Sequence, residues 1–255
     1  MTVTEGKYLK EYLSAIGNRI PEGITAFDFS ERRNNFSYLT KASAVYSSNI
    51  EGNSIDLNSF MNYELNKEKF SATKEIEEIE NLIAAYEFAQ KNKLTETDFL
   101  AAHKLLSKTL VIESSQGKYR TEPVGVFGRS GLIYLAVEPE FVAKEMKQFF
   151  IGVSDLINDE LTETEVFYFA SMIHLHFVHI HPFRDGNGRA ARLIEKWFIA
   201  EKLGRDFWKI PSEQYYKENQ QNYYNAINLG VNFYELDYNR CLSFLEMLPN
   251  CLTQV

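Results

Sequence analysis

The most informative stretch of this sequence is HPFRDGNGRAAR, which spans residues 181–192. It lies between two segments with helical periodicity, and it predicts a polar loop from which a helix begins near Asn187 or Gly188. The glycines allow the backbone to turn sharply and to approach a ligand closely. Because the first N–H groups of a helix lack partners within it and lie at the positive end of its dipole, the loop is a candidate anion site.

The charged residues of the stretch indicate what chemistry the loop can support. Arg189 and Arg192 lie three residues apart in the first turns of a helix, where the dipole disfavours cations, so a phosphate is expected beside them. Asp185 can hold a Mg²⁺ ion that bridges phosphates. His181 can accept a proton from a hydroxyl as a neutral imidazole. Together they predict transfer of a phosphate-containing group from a Mg²⁺-nucleotide to a hydroxyl.

Helical patterns surround this loop on both sides. Two start signals stand out, namely Thr95 with Asp98 and the capping pair Thr162 with Glu165. The predicted helices cover 37–50, 74–90, a segment from 95, a segment from 141, a segment from 162, 189–203, 215–229 and 236–248. Residues 124–135 are two β-prone runs around a Gly-Arg-Ser-Gly turn, which predicts a hairpin. The predicted fold is therefore all-α with one inserted β-hairpin.

Composition agrees with a helical protein and excludes several classes. The 255 residues include only 13 Gly and 6 Pro, and their formal net charge is −8, which argues against a general nucleic-acid-binding surface. Two cysteines, Cys241 and Cys251, exclude a disulfide framework and a four-cysteine zinc site. No long apolar run or secretory segment is present, so we expect a cytoplasmic protein without a membrane partner.

The stretch 181–192 resembles the signature loop of the Fic family, His-x-Phe-x-Asp/Glu-Gly-Asn-Gly-Arg-x-x-Arg, and matches every defined position. The resemblance covers residues 37–248. It implies a Fic-type helical bundle in which the hairpin is a "flap". On this basis we divide the chain into an N-terminal helical extension, residues 1–70, and a Fic core domain, residues 71–255.

The resemblance implies protein AMPylation, in which AMP passes from Mg²⁺-ATP to a Ser, Thr or Tyr hydroxyl of a target protein and pyrophosphate is released. It implies these roles: His181 as the catalytic base, Phe183 as the anchor of the loop, Asp185 as the Mg²⁺ ligand, Gly186, Asn187 and Gly188 as the phosphate cradle, Arg189 on the β-phosphate and Arg192 on the γ-phosphate. Related Doc kinases have Lys where this chain has Gly188, so the glycine favours AMP transfer over phosphoryl transfer.

A second motif lies upstream. Ser47-Ser48-Asn49-Ile50-Glu51-Gly52 resembles the inhibitory pattern Ser/Thr-x-x-x-Glu-Gly/Asn of autoregulated Fic proteins, in the class with an N-terminal inhibitory helix (class II). The resemblance implies that Ser47, Glu51 and Gly52 are inhibitory, with Glu51 pairing with Arg192 in the place of the γ-phosphate. The Gly also predicts the end of the helix that carries this motif.

Two further regions have roles that rest on the resemblance alone. The flap, with Gly128, Leu132, Ile133 and Tyr134, would align an extended segment of the target by main-chain pairing. Tyr223 and Tyr224 would line the adenine pocket, although aromatic residues at this spacing are equally typical of a core.

Other interpretations of the same residues stay open at the level of sequence. The enzyme could use another nucleotide or a phosphocholine donor, or could remove AMP, and the loop could instead be a non-catalytic, nucleotide-binding regulatory module. Arg189 and Arg192 could pair with Glu195 or Glu201 on the surface, Asp185 could form a turn, and the acidic run 75–80 could be a solvated helix face. The sequence does not identify the target protein, and a homodimer is compatible with the resemblance. Four histidines at 174, 176, 179 and 181 cannot converge on a metal from one helix.

Overall fold

The computed structural model describes residues 3–27, 29, 36–69, 71–128 and 131–253. Arg129 and Ser130, in the middle of the predicted turn, lie outside the described residues. The elements in chain order are α1 Leu9–Ile16, α2 Arg19–Ala26, α3 Phe36–Ile50, α4 Leu57–Leu65, α5 Lys74–Ala89, α6 Glu96–Leu106, β1 Gly125–Gly128, β2 Gly131–Leu135, α7 Pro139–Asn158, α8 Glu163–Ile180, α9 Asn187–Leu203, α10 Ser212–Glu218, α11 Gln220–Ile227, α12 Leu242–Leu245 and α13 Met247–Asn250. The described chain consists of helices and one pair of antiparallel strands, which confirms the predicted fold class.

Helices α8 and α9 form the centre of the molecule. Helix α8 is buried on every side over most of its length, as is typical of a helix that is apolar all round, and α9 is buried from Asn187 to Ala200. Helices α1, α2, α7, α12 and α13 pack against α8, while α3, α5 and α6 contact α9. The loop 181–186 therefore connects the two most deeply buried helices, and its ends are fixed by the core.

Side-chain caps set the starts of several helices. The Thr95 hydroxyl accepts a hydrogen bond from the Asp98 N–H at 3.1 Å, so α6 begins where the sequence predicts. At the start of α8, the Glu165 N–H donates to the Thr162 hydroxyl at 3.3 Å and the Thr162 N–H donates to the Glu165 carboxylate at 2.8 Å. This reciprocal pair confirms the predicted capping box.

The predicted hairpin is also confirmed. Strands β1 and β2 pair antiparallel, with Gly125 opposite Leu135 and an irregularity in register at Val126 and Phe127. The Tyr134 hydroxyl donates to the His179 carbonyl at 2.5 Å, which fixes one face of the hairpin to α8. The other predicted flap residues, Leu132 and Ile133, are exposed.

The two predicted C-terminal helices are wrong in extent. The segment predicted as one helix over 215–229 is divided at Asn219, whose side-chain amide donates to the Tyr215 carbonyl and so competes with helical hydrogen bonding. The segment predicted over 236–248 begins with a 3₁₀ turn, Tyr238–Arg240, because the Asp237 carboxylate accepts from the Asn239 N–H. Only the short helices α12 and α13 follow.

The N-terminal helices pack on the rest of the chain. Helices α1 and α2 contact α8, and α3 lies between α5 and α10. The buried apolar residues form one cluster that extends from Val3 to Leu252. The division at residue 70 stays a prediction. Among the described helices, none has the length and hydropathy needed to cross a membrane.

Candidate active site

The loop between α8 and α9 contains two residues in the left-handed backbone region. His181 is the C-cap of α8 with φ 52° and ψ 58°, and it is the one non-glycine residue of the described chain with positive φ. Gly186 is the N-cap of α9 with φ 82°. These two left-handed residues turn the chain sharply between the helices. The His181 ring and the free N–H groups at the start of α9 therefore lie at opposite ends of one short loop.

Two residues inside the loop hold it to the core. The Asn187 side chain accepts from the Phe183 N–H at 2.9 Å and donates to the Phe183 carbonyl at 2.8 Å. The Phe183 ring is fully buried, and it contacts Phe99 and Phe177. The Asn187 side chain therefore ties the start of α9 to the backbone of Phe183.

His103 of α6 supports the same loop and has no signal in the sequence. Its ring stacks on Phe183 with centroids 3.5 Å apart, and its Nε2 lies 3.0 Å from the Asp185 carbonyl. The Gly117 N–H donates to Nδ1 at 3.1 Å, so Nε2 carries the proton and donates to Asp185. Burial lowers the pKa of His103 to about 4, and the ring is neutral at pH 7.

Arg192 lies at the centre of the candidate site. Its side chain is fully buried, and its guanidinium donates to the Ser47 hydroxyl at 2.8 Å and to the Ser47 carbonyl at 2.9 Å. It also donates to the Glu51 carboxylate at 2.7 Å and to the Tyr223 hydroxyl at 3.2 Å. The two motifs found in the sequence, which are separated by more than a hundred residues, therefore meet at this arginine.

Glu51 lies against the first turn of α9. A Cβ atom placed on Gly188 would be 2.2 Å from the Glu51 Oε1 atom, so only glycine at this position admits the carboxylate. Burial raises the pKa of Glu51, but the charges of Arg192 and Arg189 outweigh it, and the pKa lies below its usual value. The carboxylate is therefore ionised at pH 7 and occupies the position where the dipole of α9 favours an anion.

Gly52 ends α3 and directs Glu51 at the loop. Its φ is 94°, its N–H donates to the Asn49 carbonyl, and the Asn53 N–H donates to the Ser48 carbonyl. These are the two hydrogen bonds of a Schellman motif, which confirms the glycine as the predicted helix stop. Glu51 is thus the C-cap residue of α3.

Side chains from α10 and α11 bind the last carbonyls of α3. Lys217 donates to the Asn49 carbonyl at 3.0 Å, while Gln220 and the Tyr224 hydroxyl each donate to the Ile50 carbonyl at 2.7 Å. The last carbonyls of a helix need partners outside it, so these residues fix the position of Glu51. Tyr224, predicted beside adenine, lies in this contact.

Tyr223 lies behind Arg192 rather than on the surface. Its hydroxyl accepts from Arg192 and lies 2.9 Å from His174 Nε2, and His174 Nδ1 lies 2.7 Å from the Glu195 carboxylate. The Tyr216 hydroxyl donates to the same carboxylate. Glu195 is therefore a buried acceptor for His174, which excludes the surface pair with Arg192. Among the described residues, no three His, Cys, Asp or Glu side chains are grouped so that they could hold a metal ion.

Arg189 has a partner that the sequence interpretation missed. Its guanidinium donates to the Glu78 carboxylate of α5 at 3.2 Å, and both side chains are largely buried. The Glu78 carboxylate also accepts from the Asn53 side chain at 3.4 Å. The interpretation of residues 75–80 as a solvated face is therefore wrong for Glu78, because the face of α5 that carries it packs beside the loop.

The remaining predicted site residues of the loop are Asp185 and His181. The Asp185 Oδ1 accepts from the Gly186 N–H at 2.6 Å, so one carboxylate oxygen is held at the start of α9 while the exposed side of the carboxylate remains open to a cation. His181 Nδ1 donates to the Val178 carbonyl at 3.2 Å, which leaves Nε2 as the basic nitrogen. Burial lowers the pKa of His181 below its usual value.

Known proteins resemble this chain in sequence. Residues 93–199 match the model of the Fic/DOC family. Protein adenylyltransferase fic-1 of Caenorhabditis elegans is 35% identical over 107 residues, which are 41% of this chain and 19% of that protein. Protein adenylyltransferase Fic of Drosophila willistoni is 30% identical over 143 residues, 55% of this chain and 25% of that protein. The chain thus spans a quarter or less of these curated relatives.

A solved structure shares the fold across almost the whole chain. The crystal structure of a Fic family protein from Desulfovibrio desulfuricans G20 superposes with a TM-score of 0.78 at 24% identity and covers 95% of this chain and 73% of that one. The family match includes the flap, α8, the loop and nearly all of α9, and so includes every part of the signature. Residues 93–199 of this chain are therefore similar to the Fic/DOC family over the whole of that signature.

Proposed function

We propose that this chain is a protein adenylyltransferase that is held inactive by its own Glu51. The observation that carries the proposal is the ion pair between Glu51 and Arg192 against the first turn of α9. An anion already occupies the place that the family signature assigns to the γ-phosphate. The relatives named protein adenylyltransferase support the reaction type.

In the proposed reaction, a hydroxyl of the target attacks the α-phosphorus of ATP. The new P–O bond forms as the bond to pyrophosphate breaks, and the hydroxyl proton passes to His181 Nε2. The Val178 carbonyl fixes the opposite ring nitrogen as the protonated one, and the lowered pKa keeps the ring neutral and ready to accept. The N–H groups at the start of α9, with Arg189 and Arg192, bind the phosphates.

Asp185 fits a Mg²⁺ ion that arrives with ATP. Mg²⁺ is usually bound through one or two carboxylates, with phosphates and waters completing the shell, and one exposed carboxylate beside the phosphate site meets that need. When bound, Mg²⁺ would neutralise charge on the phosphates. Asp185 would hold the ion while its Oδ1 keeps its hydrogen bond to the Gly186 N–H.

Glu51 would block the reaction by position and charge. Its carboxylate uses the Arg192 guanidinium and fills the space above Gly188, so ATP could not place its γ-phosphate there. The contact corresponds to the class with an N-terminal inhibitory helix. Cytoplasmic location and a protein target with an accessible hydroxyl belong to the same proposal.

Intact-mass spectrometry tests the proposal. The variant Glu51→Gly, incubated with Mg²⁺ and ATP, is expected to gain the mass of one or more adenylyl groups, whereas Glu51→Gly combined with His181→Ala is expected to bind ATP and gain none. A gain of phosphate would instead indicate a kinase. A folded, ATP-binding Glu51→Gly variant that gains no mass, alone or with candidate targets, would favour a regulatory nucleotide-binding module.

A further inference from the structure

Arg120, between α6 and β1, is a buried cation that neither motif includes. Only 4% of the residue is exposed, and its guanidinium donates to the His181 carbonyl at 2.8 Å, to the Ile180 carbonyl at 3.4 Å, to the Val137 carbonyl at 2.5 Å and to the Glu122 carbonyl at 3.0 Å. The backbone N–H of Arg120 donates to the Pro182 carbonyl at 2.9 Å.

The partners of Arg120 are unusual because, within the described residues, all of its guanidinium hydrogen bonds go to backbone carbonyls. Burying a charge is costly unless it is well compensated, so a fold seldom uses arginine only to fill space. These carbonyls belong to three segments: the end of α8, the residue three before the flap and the residue two after it. One side chain therefore joins both ends of the flap to the start of the catalytic loop.

The end of α8 needs such a partner. The carbonyls of Ile180 and His181 lie where a helix leaves acceptors unsatisfied and where its dipole favours a cation. His181 also has positive φ, a conformation that costs free energy for a residue with a side chain and that persists only where its surroundings hold it. Arg120 supplies both the donors and the charge at this point.

We propose that Arg120 is a positioning residue that holds His181 in its reactive orientation and aligns the flap with it. The proposal rests on the adenylyltransferase function proposed above, and it adds a residue that touches no reacting atom. The flap would present the acceptor hydroxyl, so the guanidinium fixes the distance between that hydroxyl and the base through bonds to the backbone on both sides.

The charge of Arg120 has a second, measurable effect on His181. The charged groups that face the imidazole are Arg120 from the segment before the flap, Glu51 from the end of α3 and Asp185 from the loop. Burial lowers the pKa of His181 and Arg120 lowers it further, while Glu51 and Asp185 raise it. Removing the guanidinium should therefore raise the pKa of His181, whereas replacing it with another cation should not.

The test uses the full chain with Glu51→Gly as the active parent and adds Arg120→Gln or Arg120→Lys. Lys209→Met is the control, because Lys209 is also a buried cation, and its partners, the Phe29 carbonyl and the Asp206 carboxylate, belong neither to the loop nor to the flap. The readouts are kcat and KM for ATP, the pH profile of AMP transfer, and the NMR titration of the His181 ring, assigned by its loss in His181→Ala.

We expect both Arg120 variants to lose at least tenfold in kcat with KM for ATP within about twofold of the parent, because the phosphate site is held by Asn187 and His103. Arg120→Gln should also move the acid limb of the profile and the His181 titration to higher pH, whereas Arg120→Lys and Lys209→Met should leave both unchanged.

A parental kcat in Arg120→Lys, or an unmoved His181 titration in folded Arg120→Gln, would overturn the proposal. Arg120→Lys decides the matter if Arg120→Gln does not fold. If the Glu51→Gly parent itself transfers no AMP, that result contradicts the proposed function. The NMR titration then still shows whether Arg120 changes the pKa of His181.

Discussion

At the scale of single residues, the candidate site consists of two arginines that each already hold a carboxylate. Arg192 binds Glu51 and Arg189 binds Glu78, so the anion site of α9 is neutralised within the chain. Hydrogen bonds to a charged group contribute more than neutral ones, and removal of one partner leaves the other charge uncompensated. Substitutions at these contacts should therefore change how strongly the two arginines attract another anion, such as a phosphate of ATP.

Ser47→Ala should partly relieve the inhibition. The hydroxyl is one of two Ser47 groups that orient the Arg192 guanidinium towards Glu51, and the carbonyl bond remains after its loss. We expect AMP transfer about threefold to tenfold above the wild-type chain and below Glu51→Gly, from the loss of one charge-assisted hydrogen bond. Initial rates with labelled ATP measure this, and a rate at or below wild type would contradict it.

Glu78→Gln should strengthen ATP binding. The carboxylate would compete for Arg189 with the β-phosphate that the proposed function assigns to this arginine, and the substitution removes that competing charge. In a Glu51→Gly, His181→Ala background, which prevents turnover, calorimetry with Mg²⁺-ATP should show a Kd lower by about threefold to tenfold. The neighbouring Glu77 is exposed, so Glu77→Gln is the control and should leave the Kd unchanged. A higher Kd in Glu78→Gln would show that the pair supports the site instead.

At the scale of elements, the end of α3 is the part that delivers Glu51. It is fixed by the Schellman turn at Gly52 and by the side chains of Lys217, Gln220 and Tyr224. Inhibition therefore depends on how firmly this helix end is held, and not on the acid alone.

Gly52→Ala should loosen that helix end. Alanine at φ 94° costs about 1–2 kcal/mol, while its Cβ would meet no atom within 4 Å, so the effect is one of backbone strain. We expect a lower Tm, faster hydrogen exchange over residues 47–53 and a raised basal rate of AMP transfer. Gly6→Ala, at an open position without positive φ, is the control. Unchanged exchange in Gly52→Ala would contradict the account.

The sequence predicted the parts of the site that are local. Short continuous segments of the chain form each of these parts, so pattern and spacing suffice to find them. They are the signature loop, the Glu51–Gly52 helix end, the capping box and the hairpin. The breaks near Asn219 and Asp237 were missed because short polar side chains compete with the backbone where apolar periodicity continues.

The residues that sequence reasoning missed act across long separations. Arg120 reaches a carbonyl 61 residues away, Glu78 reaches Arg189 over 111 residues, and His103 reaches Asp185 over 82. The helices that carry Glu78 and His103, and the segment that carries Arg120, can each be predicted from the sequence without these three residues. Only the packing of α5, α6 and the segment before the flap around the loop shows what these residues do.

At the scale of the whole molecule, buried neutral histidines tie stability to pH. Burial lowers the pKa of His103 and His179 to about 4 and that of His176 to about 3, all below the ordinary 6.5. Below pH 6.5 these histidines are protonated in the unfolded chain but stay neutral in the folded chain. The stability that is present above pH 6.5 is therefore lost as the pH falls towards 4.

Urea unfolding at pH 7, 6 and 5 measures this loss. Each of the three histidines should lower the free energy of unfolding by up to about 1.4 kcal/mol per pH unit below pH 6.5. His176→Phe should reduce the slope, because His176 Nδ1 has no hydrogen-bond partner among the described residues and the ring can be replaced by an apolar one. A free energy of unfolding that does not fall between pH 7 and pH 5 would contradict the assignment of neutral, buried rings.

Whether Glu51 at Arg192 restrains transfer of AMP can be decided by incubating the wild-type chain and Glu51→Gly with Mg²⁺ and ATP labelled at either the α- or the γ-phosphate. We expect Glu51→Gly to incorporate the α-label and none of the γ-label, with the wild-type chain at least tenfold lower, because Glu51 pairs with the arginine that is proposed to bind the γ-phosphate. Incorporation of the γ-label, or equal α-label in the two proteins, would contradict it.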